Sequence, residues 1–468
     1  MRSPVSNHII LVSTAEQLRE ANLPDAVRAC FAAKWNADVW SYTYTAAEGN
    51  WYLEKAGKLE GNEEKERLRK SGSSLCKLLQ ADKAGSVFLS NLTGKPEAGL
   101  SLAEGLWLSN YAFHRYLKED KKPHILSTLN YEGAGAREWP ALQLVCEAVF
   151  RTRDLVNEPV NQLNATGLAD AFVNMGAEAG FTVEVWNEAK IESNKMGGLL
   201  AVNKGSQEPP TFSIMEYKPA NAVNEKPIVL VGKGVVFDTG GLSLKPTPQS
   251  MDHMKCDMAG SAVVAGTFWA AARLKLPVWL IGLVPATDNR PGENAICPGD
   301  IITTYDGTTV EILNTDAEGR LILCDALAFA RKYDPEVVFD FATLTGAAAR
   351  ALGAYGSAMM GTAGTEIKEA VKLAGDTVYE RLAEFPLWEE YFEDTKGDIS
   401  DLKNLGKGEG GAQSAAMFLR HFTQYPWLHF DIAGTAFNMA ADHYRPKGGT
   451  GVGVRLMMEF LQKRVNGK

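Results

Sequence analysis

Residues 309–345 read "TVEILNTDAEGRLILCDALAFARKYDPEVVFDFATLT". The outer pieces, "TVEILNT" (309–315) and "EVVFDFATLT" (336–345), are short and rich in β-branched and aromatic residues, which predicts strands. The piece between them, "AEGRLILCDALAFARKY" (317–333), carries apolar residues at helical spacing. The unit is strand, helix, strand. The same alternation recurs on both sides of it. "PIVLVG" (227–232), "PVWLIGLVPA" (277–286) and "WLHFDIAG" (427–434) read as strands, and "AGSAVVAGTFWAAARL" (259–274) reads as a helix with small residues on one side. Strands that are apolar almost throughout have no face for water, so helices must cover the sheet on both sides. The fold class is α/β, and ligands of such sheets sit outside the carboxyl ends of the strands.

A chain of 468 residues exceeds one ordinary domain. The expected organisation is a smaller N-terminal α/β domain over 1–137, a linker helix over 138–160, and a larger α/β domain over 161–468 with a central mixed sheet flanked by helices. The helical run "EWPALQLVCEAVFRTRDLV" (138–156) supports the linker, and Pro159 disfavours helix at Glu158. "HIILV" and "SVFLS" read as N-terminal strands, and the charged run "EGNEEKERLRK" (60–70) as a solvated helix face.

Composition narrows the function. The net charge is −9 and no long basic run occurs, so nucleic acid is disfavoured as a partner. The first residues lack the apolar centre of a signal peptide, and no stretch has the apolar length of a membrane span. Six scattered cysteines without a CxxC suit a reducing compartment. The expected location is the cytoplasm, with no membrane partner.

The residues that follow the strand ends carry the chemistry. Asp238 lies in "DTGG", between Lys233 and Lys245. Asp257 opens the next helix, and Asp316, Glu318 and Arg320 alternate before the one after it. Four carboxylates at one sheet edge repel unless cations neutralise them. Two divalent ions would do so, and would also activate water and clamp a carbonyl. Oxygen ligands suit Mg2+ and Mn2+, and Zn2+ accepts carboxylates too. No HExxH motif occurs. The bland alternative is a capping box, with Thr315 and Glu318 closing the start of a helix. On residues 314–321 alone the two readings stand about even.

The wording of five segments shifts the balance. "VGKGVVFDTGGLSLKP" (231–246), "MKCDMAGSAVV" (254–264), "NTDAEGRL" (314–321), "FATLTGA" (341–347) and "DIAGTA" (431–436) resemble, in order, the leucyl aminopeptidase (cytosol aminopeptidase) family. The resemblance covers about 150–468; the N-terminal third looks divergent. It implies a dinuclear metallo-aminopeptidase that removes N-terminal leucine and other apolar residues from peptides by a two-metal-activated water. It assigns Asp238 and Glu318 to both metals, Asp316 to one, and Lys233 and Asp257 to the other. The lysine ligand would be a neutral amine. Lys245 would stabilise the oxyanion, and Arg320 would hold bicarbonate, the general base, by a two-pronged contact. Thr343, Leu344 and Gly346 would bind the peptide backbone. Met254, Ala433 and Ala436 would line the first side-chain pocket. The implied metals are Mn2+ or Zn2+, with Mg2+ a third candidate, and the implied assembly is a homohexamer.

One departure from the family is the stretch "KPTPQSMDHMKCD" (245–257), which is one residue longer than usual. The insertion falls in a proline-containing loop, so Asp257 is expected to keep its place. Rival readings are weaker. "GKGEGG" (406–411) matches a dinucleotide fingerprint but follows no buried strand, and reads as a loop near the site. No GxSxG elbow occurs. A family member without catalysis, acting as a binding or scaffold protein, remains the alternative from another class.

Overall fold

The apolar runs become strands in the computed structural model, which describes residues 6–35, 39–46 and 49–466. The chain divides into two units, Met1–Glu147 with Ala440–Pro446, and Ala148–Met439 with Lys447–Lys468. The division falls inside the helix Trp139–Asn157, the segment expected to link two domains. That helix stops two residues before Pro159.

The first unit holds β1 (Ser6–Val12), β2 (Ser41–Thr45), β3 (Gly49–Lys55), β4 (Ser86–Asn91) and β5 (Thr128–Gly133), in the order β2-β3-β1-β4-β5. All pairs are parallel except β2–β3. The charged run at 60–70 departs from expectation. It opens the helix Asn62–Ala81, but Glu66 and Arg69 are buried. The reason is close packing against the helix Pro96–Ser109, where a Cβ on Gly105 would fall 1.9 Å from the Arg69 carbonyl. Arg69 Nε meets Glu104 there at 2.5 Å, and Tyr444 donates to Glu66 at 2.8 Å. Buried charges persist where such partners exist.

The second unit holds β6 (Thr182–Trp186), β7 (Thr211–Tyr217), β8 (Ile228–Gly232), β9 (Gly234–Asp238) and β10 (Leu280–Asn289). After them come β11 (Ile301–Thr303), β12 (Thr309–Glu311), β13 (Val337–Ala342), β14 (Ser357–Gly361), β15 (Leu382–Glu384), β16 (Leu402–Lys403) and β17 (Trp427–Asp431). Nine of these form one mixed sheet, ordered β15-β14-β17-β13-β8-β10-β7-β6 with β9 also on β10. The centre, β17-β13-β8-β10, is parallel, and the flanking β7 and β14 run antiparallel to it. The fold class is the α/β arrangement read from the sequence.

Period-two alternation explains the double burial. Val229, Val231, Ile281, Leu283 and Val338 pack with the helix Glu318–Ala330. On the opposite face Gly282 looks toward Phe268 and Val264 of the helix Ala259–Arg273. A Cβ on Gly260 would meet the Phe341 carbonyl at 1.9 Å, so only glycine lets this helix start directly against the sheet.

"TVEILNT" is the exception among the strands. Only Thr309–Glu311 is strand, and it joins a small separate sheet, β11-β12-β16. Val310 and Ile312 are still fully buried, within the core cluster. Alternating apolar residues signalled burial correctly but not membership of the main sheet.

Connections place the site. β8 and β9 lead through the helix Ala259–Arg273 to β10 on one side of β8. β10 then leads, by way of the helix Glu318–Ala330, to β13 on the other side. The strand order reverses at the carboxyl ends of β8 and β13, where a crevice opens in folds of this kind.

Candidate metal centre

Lys233 is the first residue beyond β8. Its N–H donates to the Phe341 carbonyl of β13 (3.0 Å), and its own carbonyl accepts from Ser261 (3.0 Å). The backbone is thus fixed on both sides and the side chain, 2% exposed, extends into the crevice. Lys233 Nζ lies 2.7 Å from Asp257 Oδ2, 2.9 Å from Glu318 Oε1 and 3.0 Å from the Thr343 carbonyl. Thr343 also donates its hydroxyl to Asp257 (2.7 Å). The loop between Lys245 and Asp257 holds Gln249 at φ 61° and delivers Asp257 to this position.

Asp238 ends β9. Its Oδ1 accepts from Gly240 N–H and from Asn289 Nδ2, both at 2.8 Å, and its Oδ2 meets Lys245 Nζ at 2.8 Å. Lys245 also pairs with Asp316. Carboxylate oxygens of Asp238, Asp316 and Glu318 lie within 4.8 Å of one another. Asp257 is outside this trio and is linked to Glu318 through Lys233 Nζ, which meets both.

The charges act on one another through a nearly dry medium. Burial alone would depress the Lys233 ammonium, but Asp257, Glu318 and Asp238 outweigh it and hold its pKa above the ordinary value. Lys245 is raised in the same way, chiefly by Asp238 and Glu318 against burial. Burial, with the nearby Glu318 charge, lifts Asp238 to about 6. Burial also raises Asp257 and Asp316. Glu318 is pushed up by burial, yet the two lysines prevail and leave it low. Burial brings Arg320 down to about 10.

Of the buried atoms in this cluster that make no hydrogen bond, Asp257 Oδ2 has the Lys233 ammonium at 2.7 Å, which leaves two among the described residues. Glu318 Oε2 and Arg320 Nη1 make no hydrogen bond, although both residues are nearly inaccessible. Orphaned buried charges are costly and call for a ligand. The donor set suits divalent cations: four carboxylates outnumber two lysines, one carboxylate oxygen is free, and a buried guanidinium edge can take an anion. The residues therefore fit divalent metal ions.

The capping box does not form. The helix Glu318–Ala330 has Ala317 as its N-cap, without a side-chain cap bond. The Thr315 hydroxyl instead donates to the Gly240 carbonyl (2.6 Å) and accepts from Ser243 N–H (2.8 Å), and Glu318 turns to Lys233. Helix formation begins too late for the box, because residues 315–316 are held to the loop after β9.

Met254 is half-buried, and its carbonyl accepts from Asp257 N–H (3.3 Å). Leu344 is half-buried, and Gly346 opens the helix Gly346–Leu352 at the surface. Ala433 is half-buried, with its N–H on Asp431, and Ala436 is buried, with its N–H on the Ile432 carbonyl (2.9 Å). Residues 406–411 form a surface turn before the helix Gly411–Arg420. Sequence reasoning missed Asn289. Its side chain ties Asp238 to the Thr315 carbonyl (3.0 Å), and its carbonyl accepts from Thr239. A single Asn at the end of an apolar strand was the available signal.

The catalytic-domain model of the cytosol aminopeptidase family matches residues 150–458. A probable cytosol aminopeptidase of Geobacter sp. (strain M21) is 45% identical over 411 residues, covering 85% of this chain and 83% of that one. One from Geobacter sulfurreducens is 43% identical, covering 86% and 82%. Among solved structures, the bottromycin maturation enzyme BotP in complex with Mn superposes with a TM-score of 0.86 at 29% identity, over 98% of this chain and 100% of that one.

Proposed function

The chain belongs to the cytosol aminopeptidase family, and from that premise we propose a metal-dependent aminopeptidase that removes leucine and other apolar residues from peptide N-termini. One observation carries the reading. Asp238, Asp316 and Glu318 bring carboxylate oxygens within 4.8 Å of one another, between the end of β9 and the start of the helix Glu318–Ala330, and one buried carboxylate oxygen among them has no partner.

In this reading Asp238 and Glu318 would hold both divalent ions, Asp316 would complete one site, and Asp257 and Lys233 the other, Lys233 only after giving up the proton that its acidic neighbours now favour. Mn2+ or Zn2+ suits these ligands, with Mg2+ a third candidate. The ions supply Lewis acidity toward water and the scissile carbonyl. Lys245, kept cationic by its acidic neighbours, faces the oxyanion that develops there. The unpaired edge of Arg320 would hold bicarbonate, which would supply the base for the attacking water. Thr343, Leu344 and Gly346 align the peptide backbone, while Met254, Ala433 and Ala436 receive its first side chain. A free α-amine on the substrate accounts for action at the terminus alone. Assembly as a homohexamer and residence in the cytoplasm complete the proposal. Among the described residues no helix is long and apolar enough to cross a membrane.

The test is hydrolysis of leucine 4-nitroanilide by protein stripped with chelator and resupplied with Mn2+ or Zn2+. Metal-restored release, absent with the N-acetylated amide, is expected. No release with either metal, across several N-terminal residues, would overturn the reading in favour of a binding or scaffold role. Sedimentation of the same protein checks the hexamer.

A further inference from the structure

The residues assigned to the substrate, Thr343, Leu344 and Gly346 in one segment and Ala433 and Ala436 in another, leave the sheet from neighbouring parallel strands. β13 ends at Ala342 and β17 at Asp431, and these residues are register partners. The Ile432 N–H donates to the Ala342 carbonyl at 2.8 Å, and beyond that bond no ladder sets the spacing of the two backbones.

One side chain spans the gap. Asp431 is 1% exposed. Its Oδ1 accepts from Leu344 N–H (3.2 Å) and from Ala433 N–H (3.1 Å). Its Oδ2 accepts from the Thr345 hydroxyl at 2.6 Å. That hydroxyl in turn accepts from Ala348 N–H (3.0 Å) and caps the helix Gly346–Leu352. Thr343 is held from the opposite side, by Lys233 Nζ on its carbonyl and by its own hydroxyl on Asp257. The tripeptide Thr343–Leu344–Thr345 is therefore pinned between the carboxylate cluster and Asp431. Hydrogen bonds to a buried ionised carboxylate are the strong and directional kind.

We propose that Asp431 is a positioning residue that couples the peptide-binding strand to the side-chain pocket. It fixes their mutual spacing, and so sets how an N-terminal side chain seats when the backbone is aligned beside the carboxylates. It acts through Leu344, Thr345 and Ala433 and does not touch the peptide. The inference rests on the reading of those two segments as substrate-binding.

Three full-length variants test it. Asp431→Asn keeps the volume but places an NH2 where Oδ2 accepted. Thr345→Val removes the hydroxyl, and Thr345→Ser retains it. Two readouts are taken: steady-state hydrolysis of the leucyl amide with Mn2+, and hydrogen exchange over 343–348 and 431–436. Asp431→Asn and Thr345→Val should each raise KM about tenfold, the loss of one charge-assisted bond, with kcat changed less than about threefold. Exchange should speed up in both segments. The double variant should be no worse than the worse single, as expected for partners in one bond. Thr345→Ser should stay near wild type. Unchanged exchange, a change confined to one segment, or a fall in kcat at constant KM would overturn the proposal. If Asp431→Asn does not fold, Thr345→Val decides alone. If the wild-type chain cleaves no amide, the aminopeptidase reading fails, and exchange in the two segments still decides whether Asp431 couples them.

Discussion

Glu318 carries two unlike oxygens. Oε1 meets Lys233 at 2.9 Å, while Oε2 is buried without a partner. Glu318→Gln keeps the shape and removes the charge. It should lower kcat with Mn2+ by on the order of 10³-fold, equivalent to several kcal/mol of lost transition-state stabilisation. Its circular dichroism and unfolding midpoint should stay close to wild type; near-normal turnover would remove Glu318 from the proposed site. Asn289 acts one step further out, since its NH2 fixes Asp238 and the Thr315 carbonyl together. Asn289→Ala should weaken Mn2+ binding roughly 10- to 100-fold, the usual cost of losing a residue that orients a ligand. Titration against a competing chelator reads this directly, and unchanged affinity would make Asn289 a purely structural residue. At this scale the sequence was uneven. Asp238, Asp316 and Glu318 drew notice as charges next to apolar segments, but on their own Asp316 and Glu318 stood about even with a capping box, and Lys233 was singled out only by the family resemblance. Asn289 and Asp431 drew none, because their work depends on which backbone amides and carboxylates lie opposite them.

Thr315 shows the same limit between elements. Its spacing to Glu318 suits a capping box, yet its hydroxyl bridges Gly240 and Ser243, and Ser243 Oγ in turn accepts from Thr315 N–H (3.1 Å). The residue joins the loop after β9 to the turn before the helix Glu318–Ala330, so Asp238 and Asp316 are held by one fastener. Local spacing can signal a cap but cannot show a competing partner 72 residues away. Thr315→Val, isosteric but unable to make these bonds, should cost about 1–3 kcal/mol in urea unfolding by leaving buried groups unpaired. Limited proteolysis should then nick the loop over 239–250 first, and Thr315→Ser should restore resistance. Equal protease sensitivity in all three proteins would mean that the loop is held elsewhere. "TVEILNT" failed for a related reason: its buried alternation is real, but the pairing partner that makes a strand of the main sheet is β13, further along.

Across the whole molecule, the doubly covered sheet was legible because each central strand is apolar on both faces, and two helices with small or apolar residues cover them. The edge strands β6 and β15 carried no such pattern and were not read, and the antiparallel strands β7 and β14, though largely buried, were not read either. The same complete burial gives the fold a pH-dependent term away from the metal centre. Asp325, on the helix Glu318–Ala330, is fully buried, and it accepts from Leu199 N–H (2.9 Å) and Tyr305 N–H (2.8 Å). Burial raises its pKa from 3.8 to about 7, against the pull of those backbone donors. The folded chain therefore binds this proton more tightly than the unfolded chain does. Its contribution is fully present below 3.8 and is lost as pH rises toward 7. The loss is up to about 4 kcal/mol. Asp325→Asn cannot ionise, so it should remove this slope even if the lost acceptor lowers stability at every pH. Urea midpoints from pH 4 to 8, measured in chelator so that metal binding adds no slope of its own, separate the two effects. The wild-type midpoint should fall more steeply with rising pH than that of Asp325→Asn. Parallel curves would show that the Asp325 carboxyl is already ionised at the acid end, stabilised by its amide donors more strongly than burial opposes.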